Sequence, residues 1–150
     1  MSSTEAHADS AYEISTDPSR LDFAAIHAYL TRSYWSPGIP LATVEKAARN
    51  SLCFGAYEKA TGAQVGFARV VTDHATFAYL CDVYVLEQHQ GHGLGKRMMR
   101  EAMAHPALIG ARRIMLATRD AHGLYRLSGF TVAGSQGNLM EVVRSDMYRA

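Results

Sequence analysis

An α+β domain around a single sheet is predicted from three observations. Three strand-like runs follow one another between 51 and 86, segments with apolar residues at helical spacing lie on both sides of them, and glycine, proline and short polar residues mark the boundaries. The order read along the chain is β-α-α-β-β-β-α-β-α-β-β, a mixed α/β arrangement.

The alternating run YEIST (12–16) reads as a first strand. DPSR follows, where Asp17 or Ser19 can cap a helix with Pro18 in its first turn. Leu21, Ala25, Ile26, Tyr29 and Leu30 then recur at helical spacing until SPGIP breaks the pattern, and 41–49 reads as a second, shorter helix. SLCFGAYE (51–58) and VGFARVVTD (65–73) are strands joined by a turn carrying Gly62. FAYLCDVYVL (77–86) is nearly continuous in apolar residues, as a strand buried on both faces would be.

After a glycine-rich loop, Leu94, Met98, Met99, Ala102 and Met103 fit one helical face that His105–Pro106 ends. RRIMLATR (112–119) is a further strand. DAHGLYRLSGF reads as a short helix capped by Asp120 and closed by Gly129, and FTVAG and LMEVVRS as a last strand pair around the turn SQGN.

The chain has 150 residues, which suits one domain with a substantial core. It is expected to occupy 12–150, behind a polar, disordered tail over 1–11. With 48% apolar and 19% charged residues and a formal net charge of +1, the profile is that of a soluble globular protein. A charge so near zero argues against nucleic acid as the main ligand, which requires a concentrated basic face. No apolar run approaches the roughly 18 residues that span a bilayer, so no membrane partner is expected. The opening MSSTEAHADSA lacks the basic start and apolar centre of a secretory signal. Cys53 and Cys81 both lie in apolar runs and read as buried reduced thiols, so the expected location is cytoplasmic.

The stretch EQHQGHGLGKRMM (87–99) places Gly91, Gly93 and Gly95 between a strand and a helix start. That geometry makes an anion site, because the first N–H groups of a helix lack internal partners and glycine lets a ligand approach closely. Two well-known loops are excluded by spacing. A triphosphate-binding loop ending in Gly95-Lys96 would need glycine at 90, which is Gln90, and Ser or Thr where Arg97 stands. The dinucleotide fingerprint starting at Gly91 and Gly93 would need glycine where Lys96 stands. His89 and His92 form an H-x-x-H pair with no cysteine or carboxylate pair nearby, so no metal is expected. A turn that binds nothing remains open at this point.

The segment Gln90-Gly91-His92-Gly93-Leu94-Gly95 fits the pattern Q/R-x-x-G-x-G/A, and GLYRLSGF (123–130) fits the pattern xLYxxxGF. With both motifs in this order, and the same order of elements, the sequence resembles the GCN5-related N-acetyltransferase superfamily. The resemblance implies a central mixed, mostly antiparallel sheet flanked by helices, with acetyl-CoA as co-substrate and no metal. It implies that the backbone of a splayed central strand around Val83, Tyr84 and Val85 pairs with the pantetheine arm. The amides of Gln90, Gly91, His92, Gly93, Leu94 and Gly95 would hold the pyrophosphate, with Lys96 and Arg97 near the phosphates unless they are merely solvated. Tyr125 would act as general acid toward the departing thiolate. A phenol (pKa about 10) and a thiol (about 8.5) are close enough for that exchange.

Asp82 is the one charge inside an otherwise apolar strand. It is a candidate base or binder for a cationic amine, or else the partner of Arg69 or Arg119 in a structural salt bridge. Asp120 reads as a helix cap or a substrate contact, and His122 as a proton relay or an exposed helix-start residue. Tyr34 and Trp35 fall where the family's acceptor wall varies, or else belong to the core. The expected reaction is transfer of an acetyl group to a primary amine of a small molecule by direct attack in a ternary complex. The alternatives are a non-catalytic acyl-CoA-binding sensor and a protein or peptide amine acetyltransferase. Dimers are common in the family the sequence resembles, which makes a homodimer one option while the oligomeric state stays open.

Overall fold

The structure is a computed structural model in which residues 11–134 and 137–149 are described. Five strands form one sheet in sequence order: β1 (Tyr12–Ser15), β2 (Leu52–Glu58), β3 (Gln64–Thr72), β4 (Phe77–Val85) and β5 (Arg113–Leu116). The first three pairings are antiparallel and only β4–β5 is parallel, so the sheet is mixed and mostly antiparallel.

The two hairpins are set by local chemistry. Between β2 and β3, Gly62 takes a φ of 76° and its N–H donates to Glu58 O at 2.8 Å. Between β3 and β4, Asp73 Oδ1 accepts from the N–H groups of Ala75, Thr76 and Phe77 at 3.0, 2.7 and 3.1 Å. The Thr76 hydroxyl donates to Oδ2 at 2.6 Å, and this bond together with the backbone ones holds the Asp73 carboxyl well below the usual carboxylate range.

Helices cover both faces. On one lie α1 (Phe23–Leu30) and α2 (Leu41–Arg49), whose Ile26, Leu30, Val44 and Ala48 pack with Cys53, Phe67 and Tyr84. On the other lie α3 (Leu94–Ala104) and α4 (Pro106–Ile109). Met99, Ala102, Ala107 and Leu108 pack there on Phe54, Ala68, Val70, Ala78 and Leu80. Leu94 and Met98 close the end near β1 with Tyr12, Ala56 and Val65. Removal of these side chains from water is the main stabilising term. A last short helix, α5, spans His122–Arg126.

The feature that shapes the site is a bulge in β4. The register runs Phe67↔Tyr84 and then Arg69↔Cys81, so two residues of β4, Asp82 and Val83, oppose Ala68 alone. Asp82 sits there with a φ of 55°. The extra residue inverts the alternation, which is why Leu80 packs under α3 while Tyr84 packs under α1. Just before the bulge β4 and β5 part company. Their pairing runs from Phe77↔Arg113 to Leu80↔Leu116 and goes no further.

Several boundaries differ from the sequence expectations. Asp17 does cap, accepting from Ser19 N, but it caps only a 3₁₀ turn over Pro18–Arg20. The cap of α1 is Asp22, which accepts from Ala25 N at 3.1 Å. Asp120 does not cap α5: the residue before that helix is Ala121, and Thr118 Oγ1 accepts its N–H. The strand expected over 112–119 is only the four residues of β5.

The last strand pair, expected over 130–134 and 139–145, is not formed by the described residues there. Alternation alone does not make a strand; a neighbouring strand and a face to bury are also needed. Phe130 packs on the core beside Tyr125, but the side chains after it have neither: Met140 is 96% exposed and Val142 81%. Part of the turn between them, 135–136, lies outside the described residues, as does the expected tail except Ala11, whose carbonyl accepts from Lys59 N. Among the described residues no helix is long and apolar enough to cross a membrane.

Candidate active site

Where β4 and β5 separate, the backbone of β4 keeps its bonds to β3 and faces an open groove on its other side. The groove measures about 1090 Å³. Val83, Tyr84 and Val85 line it in the middle, Gln90, Gly91, Gly93, Leu94, Gly95 and Lys96 at one end, and Leu124 and Tyr125 across from them.

The glycine loop is shaped for an anion. Gly93 is the N-cap of α3 with a φ of 79° and offers no side-chain bond to the first turn. Gly91 is also left-handed, at 83°, and a Cβ there would meet nothing within 4 Å. Gln90 reaches back, its Nε2 donating to Val85 O at 2.9 Å, and so fixes the loop to the end of β4.

The two histidines tie the loop to β1, and His89 also lines the groove. Tyr12 Oη and His89 Nδ1 are hydrogen-bonded at 2.8 Å, and the Tyr12 ring also lies against His92 at 6.4 Å between centroids. Arg97 Nη1 donates to Tyr12 O at 2.7 Å. The loop is thereby fastened to β1. His92 is the one expected loop residue that does not line the groove. Among the described residues no cluster of three metal-ligating side chains occurs.

A second cavity of about 410 Å³ adjoins the groove. Tyr34, Trp35, Val83, Arg119, Asp120 and Tyr125 line both. Tyr79, Cys81 and Asp82 line only the second. The expected wall residues, Tyr34 and Trp35, are partly exposed and pack edge to face, at 5.1 Å between centroids. Tyr125 is brought to the junction. Its phenol is pushed above its ordinary pKa by burial, with smaller contributions from Tyr34 and Asp120. His122 is not brought to either space; it faces a separate cavity with Thr118, Arg126 and Phe130.

For Asp82 two readings were open, and the structure shows a salt bridge to Arg69. Arg69 Nε donates to Asp82 Oδ2 at 2.8 Å, and Trp35 Nε1 donates to Oδ1 at 2.9 Å. Arg69 Nη1 also donates to Ser51 Oγ at 3.1 Å. Both carboxylate oxygens are therefore engaged, and Asp82 does not stand as a free base or a free anion in the cavity. Arg119, the other partner considered, lies over the Tyr34 ring at 3.8 Å.

Sequence reasoning missed the roof of the groove. Tyr29 stacks on Tyr84 at 4.0 Å, and Arg32 lies over Tyr29 at 4.4 Å. Arg32 grips Glu87 with two bonds, at 2.9 and 3.1 Å. Tyr29 and Arg32 are spaced three apart on and just after α1, which reads in a sequence as any helix face does. Cys81 was read as buried and is partly so; burial pushes its thiol up to about 11.

The Acetyltransferase (GNAT) family model matches residues 9–130. A protein of Gibberella zeae, provisionally named an acetyltransferase, is 38% identical over 135 residues, covering 76% of this chain and 75% of that protein. The crystal structure of a provisionally assigned GNAT-family acetyltransferase from Xanthomonas campestris pv. campestris is 48% identical, with a TM-score of 0.88 over 93% of this chain and 97% of that one. Glucosamine-6-phosphate N-acetyltransferase from Arabidopsis thaliana shares the fold at 15% identity, with a TM-score of 0.62 over 89% of this chain and 97% of that one.

Proposed function

The chain belongs to the acetyltransferase (GNAT) family, and on that premise we propose that it moves an acetyl group from acetyl-CoA to the primary amine of a small molecule. The observation that carries this reading is the open backbone edge of β4 between the glycine loop at one end and Tyr125 at the other. Acetyl-CoA supplies the activated thioester. The fit rests on two features of the groove: a helix start with no side-chain cap, and a β4 edge that no described strand pairs with after Leu80.

On this reading the first amides of α3 donate to the pyrophosphate, where the helix dipole favours negative charge. Lys96, at the groove's loop end, adds a positive charge there. The β4 backbone around Val83–Val85 pairs with the pantetheine arm as a strand would, so apolar side chains suffice at those positions. A backbone N–H of β4 aimed at the thioester carbonyl would stabilise the negative charge that develops on its oxygen.

Tyr125 holds a proton at its hydroxyl and gives it to the departing sulfur. Its raised pKa keeps the phenol protonated throughout the neutral range. Because Asp82 is engaged by Arg69 and Trp35, the attacking amine loses its proton to water instead of to a dedicated carboxylate.

The test is an acceptor screen with free CoA thiol as the readout, confirmed by mass of the acetylated product. Amine-dependent thiol release in one-to-one ratio with acetylated product is expected. Tight acetyl-CoA binding without transfer to any amine would instead point to an acyl-CoA sensor.

A further inference from the structure

The acceptor cavity is lined by a cation, Arg119, with which no described residue forms an ion pair. Arg119 lines both the groove and the adjoining cavity. Its guanidinium lies 3.8 Å from the centre of the Tyr34 ring, and its backbone N–H donates to Tyr34 Oη at 3.3 Å. Stacking of this kind holds the side chain in place while leaving N–H donors at its rim. Among the described residues none forms an ion pair with Arg119, and no side-chain hydrogen bond uses its donors.

The rest of the lining does not offset it in the way a cation-binding site would. The Asp82 carboxylate is matched by Arg69 behind it. The remaining acid is Asp120, exposed and next to Arg119 in the chain. Tyr34, Trp35 and Tyr79 supply aromatic surface around these two charges. A guanidinium and a carboxylate lining one cavity with an aromatic wall complement a zwitterion with an apolar body.

We infer that the acceptor amine also carries an anionic group, a carboxylate or a phosphate, which Arg119 grips, and an apolar or aromatic body that rests on Tyr34 and Trp35. Simple cationic polyamines fit poorly, because they would bring charge to Arg119 and find Asp82 already paired. This inference rests on the acetyltransferase reading for the identity of the neighbouring groove.

The test measures binding to the CoA-loaded protein by calorimetry, so that it does not depend on turnover. The ligands are N-acetylphenylalanine, N-acetyl-O-phosphotyramine and the neutral N-acetylphenethylamine. A charge-assisted bond to Arg119 should make one or both anions bind about 10- to 100-fold more tightly than the neutral compound. Which anion binds more tightly distinguishes carboxylate from phosphate. R119Q should abolish that preference with CoA affinity unchanged, and R119K should restore part of it.

Equal binding of charged and neutral ligands would overturn the inference. So would an R119Q protein that keeps the preference but loses CoA affinity, since Arg119 would then serve the cofactor. Turnover of phenylalanine and phenethylamine is measured separately. A retained anion preference without any transfer would support the grip of Arg119 and count against the transferase reading alone.

Discussion

Arg69 and Asp82 meet at 2.8 Å beside the bulge where Asp82 holds a left-handed φ of 55°. Their side chains are 20% and 10% exposed. The pair therefore ties the distorted residue of β4 to its neighbour β3 at the point where β4 leaves β5. Trp35 completes the clasp from the loop after α1. The role this geometry supports for Asp82 is positioning: it holds open the strand edge on which the groove depends.

Asp82→Ala should accordingly be strongly destabilising, by roughly 3 kcal/mol, because it leaves the Arg69 charge without its partner. Asp82→Asn should cost less. Asparagine tolerates a positive φ better than alanine, and its one carbonyl oxygen can still accept from Arg69 or from Trp35, though its amide nitrogen then faces the other donor. Urea denaturation of the two variants checks the order, and an alanine variant as stable as the native protein would remove Asp82 from this role.

Tyr125→Phe should lower kcat by about 100-fold or more, the usual scale for losing a positioned acid, with KM for acetyl-CoA little changed. The pH dependence has a definite sign. Burial disfavours the phenolate, so the folded pKa lies above the ordinary value of about 10. The acid stays loaded as pH rises through the neutral range, and its loss should appear only on a limb above about pH 10. Steady-state kinetics across pH, with the phenylalanine variant lacking that limb, is the check. Unchanged turnover in the variant would assign the proton to water.

The order of the first five strands and the glycine loop were legible in the sequence because each rests on local pattern, whereas Tyr125 was singled out by the family resemblance and not by spacing. Alternation marked β3, the Gly62 turn marked its pairing with the strand-like run of β2, and glycine spacing before a helical face marked the loop. The bulge was not legible: nothing in FAYLCDVYVL says which residue is extra, yet that residue decides where Asp82 and Tyr84 point. For the same reason the choice between base and salt bridge at Asp82 needed coordinates. Arg32 and Tyr29 reach the groove through the packing of α1 on Tyr84, a contact between residues 55 positions apart in the case of Tyr29 and Tyr84. The last strand pair failed in the opposite sense, since FTVAG and LMEVVRS carry strand-like composition without a face to bury it.

The glycine loop separates backbone strain from ligand space. Gly93 is left-handed, so Gly93→Ala should cost about 1–2 kcal/mol of stability along with acetyl-CoA affinity. Gly95 lies inside α3, has no positive φ, and an added Cβ would meet no protein atom within 4 Å. Gly95→Ala should therefore fold with equal or slightly greater stability. Since Gly95 lines the groove, the added methyl would still enter the space where a phosphate approaches, and KM for acetyl-CoA should rise about tenfold. Thermal denaturation paired with acetyl-CoA titration distinguishes the two variants. A Gly95→Ala protein with normal cofactor affinity would show that the phosphates do not approach this turn.

Cys81 bears on how the acetyl group travels. It lines the cavity beside the groove, where a thiol could in principle take the acetyl group first and pass it on. The thiolate is the nucleophilic form, and burial pushes this thiol up to about 11. At pH 7.5 only about one thiol in 10³–10⁴ would then be ionised. The nearby Arg69 lowers that pKa but does not offset burial, and its donors already serve Asp82 and Ser51. Cys81→Ala should keep most of the activity, and double-reciprocal plots against both substrates should intersect, as direct transfer in a ternary complex requires. Parallel plots, or trapping of an acetylated Cys81 by mass spectrometry before the amine is added, would replace direct attack with a two-step route.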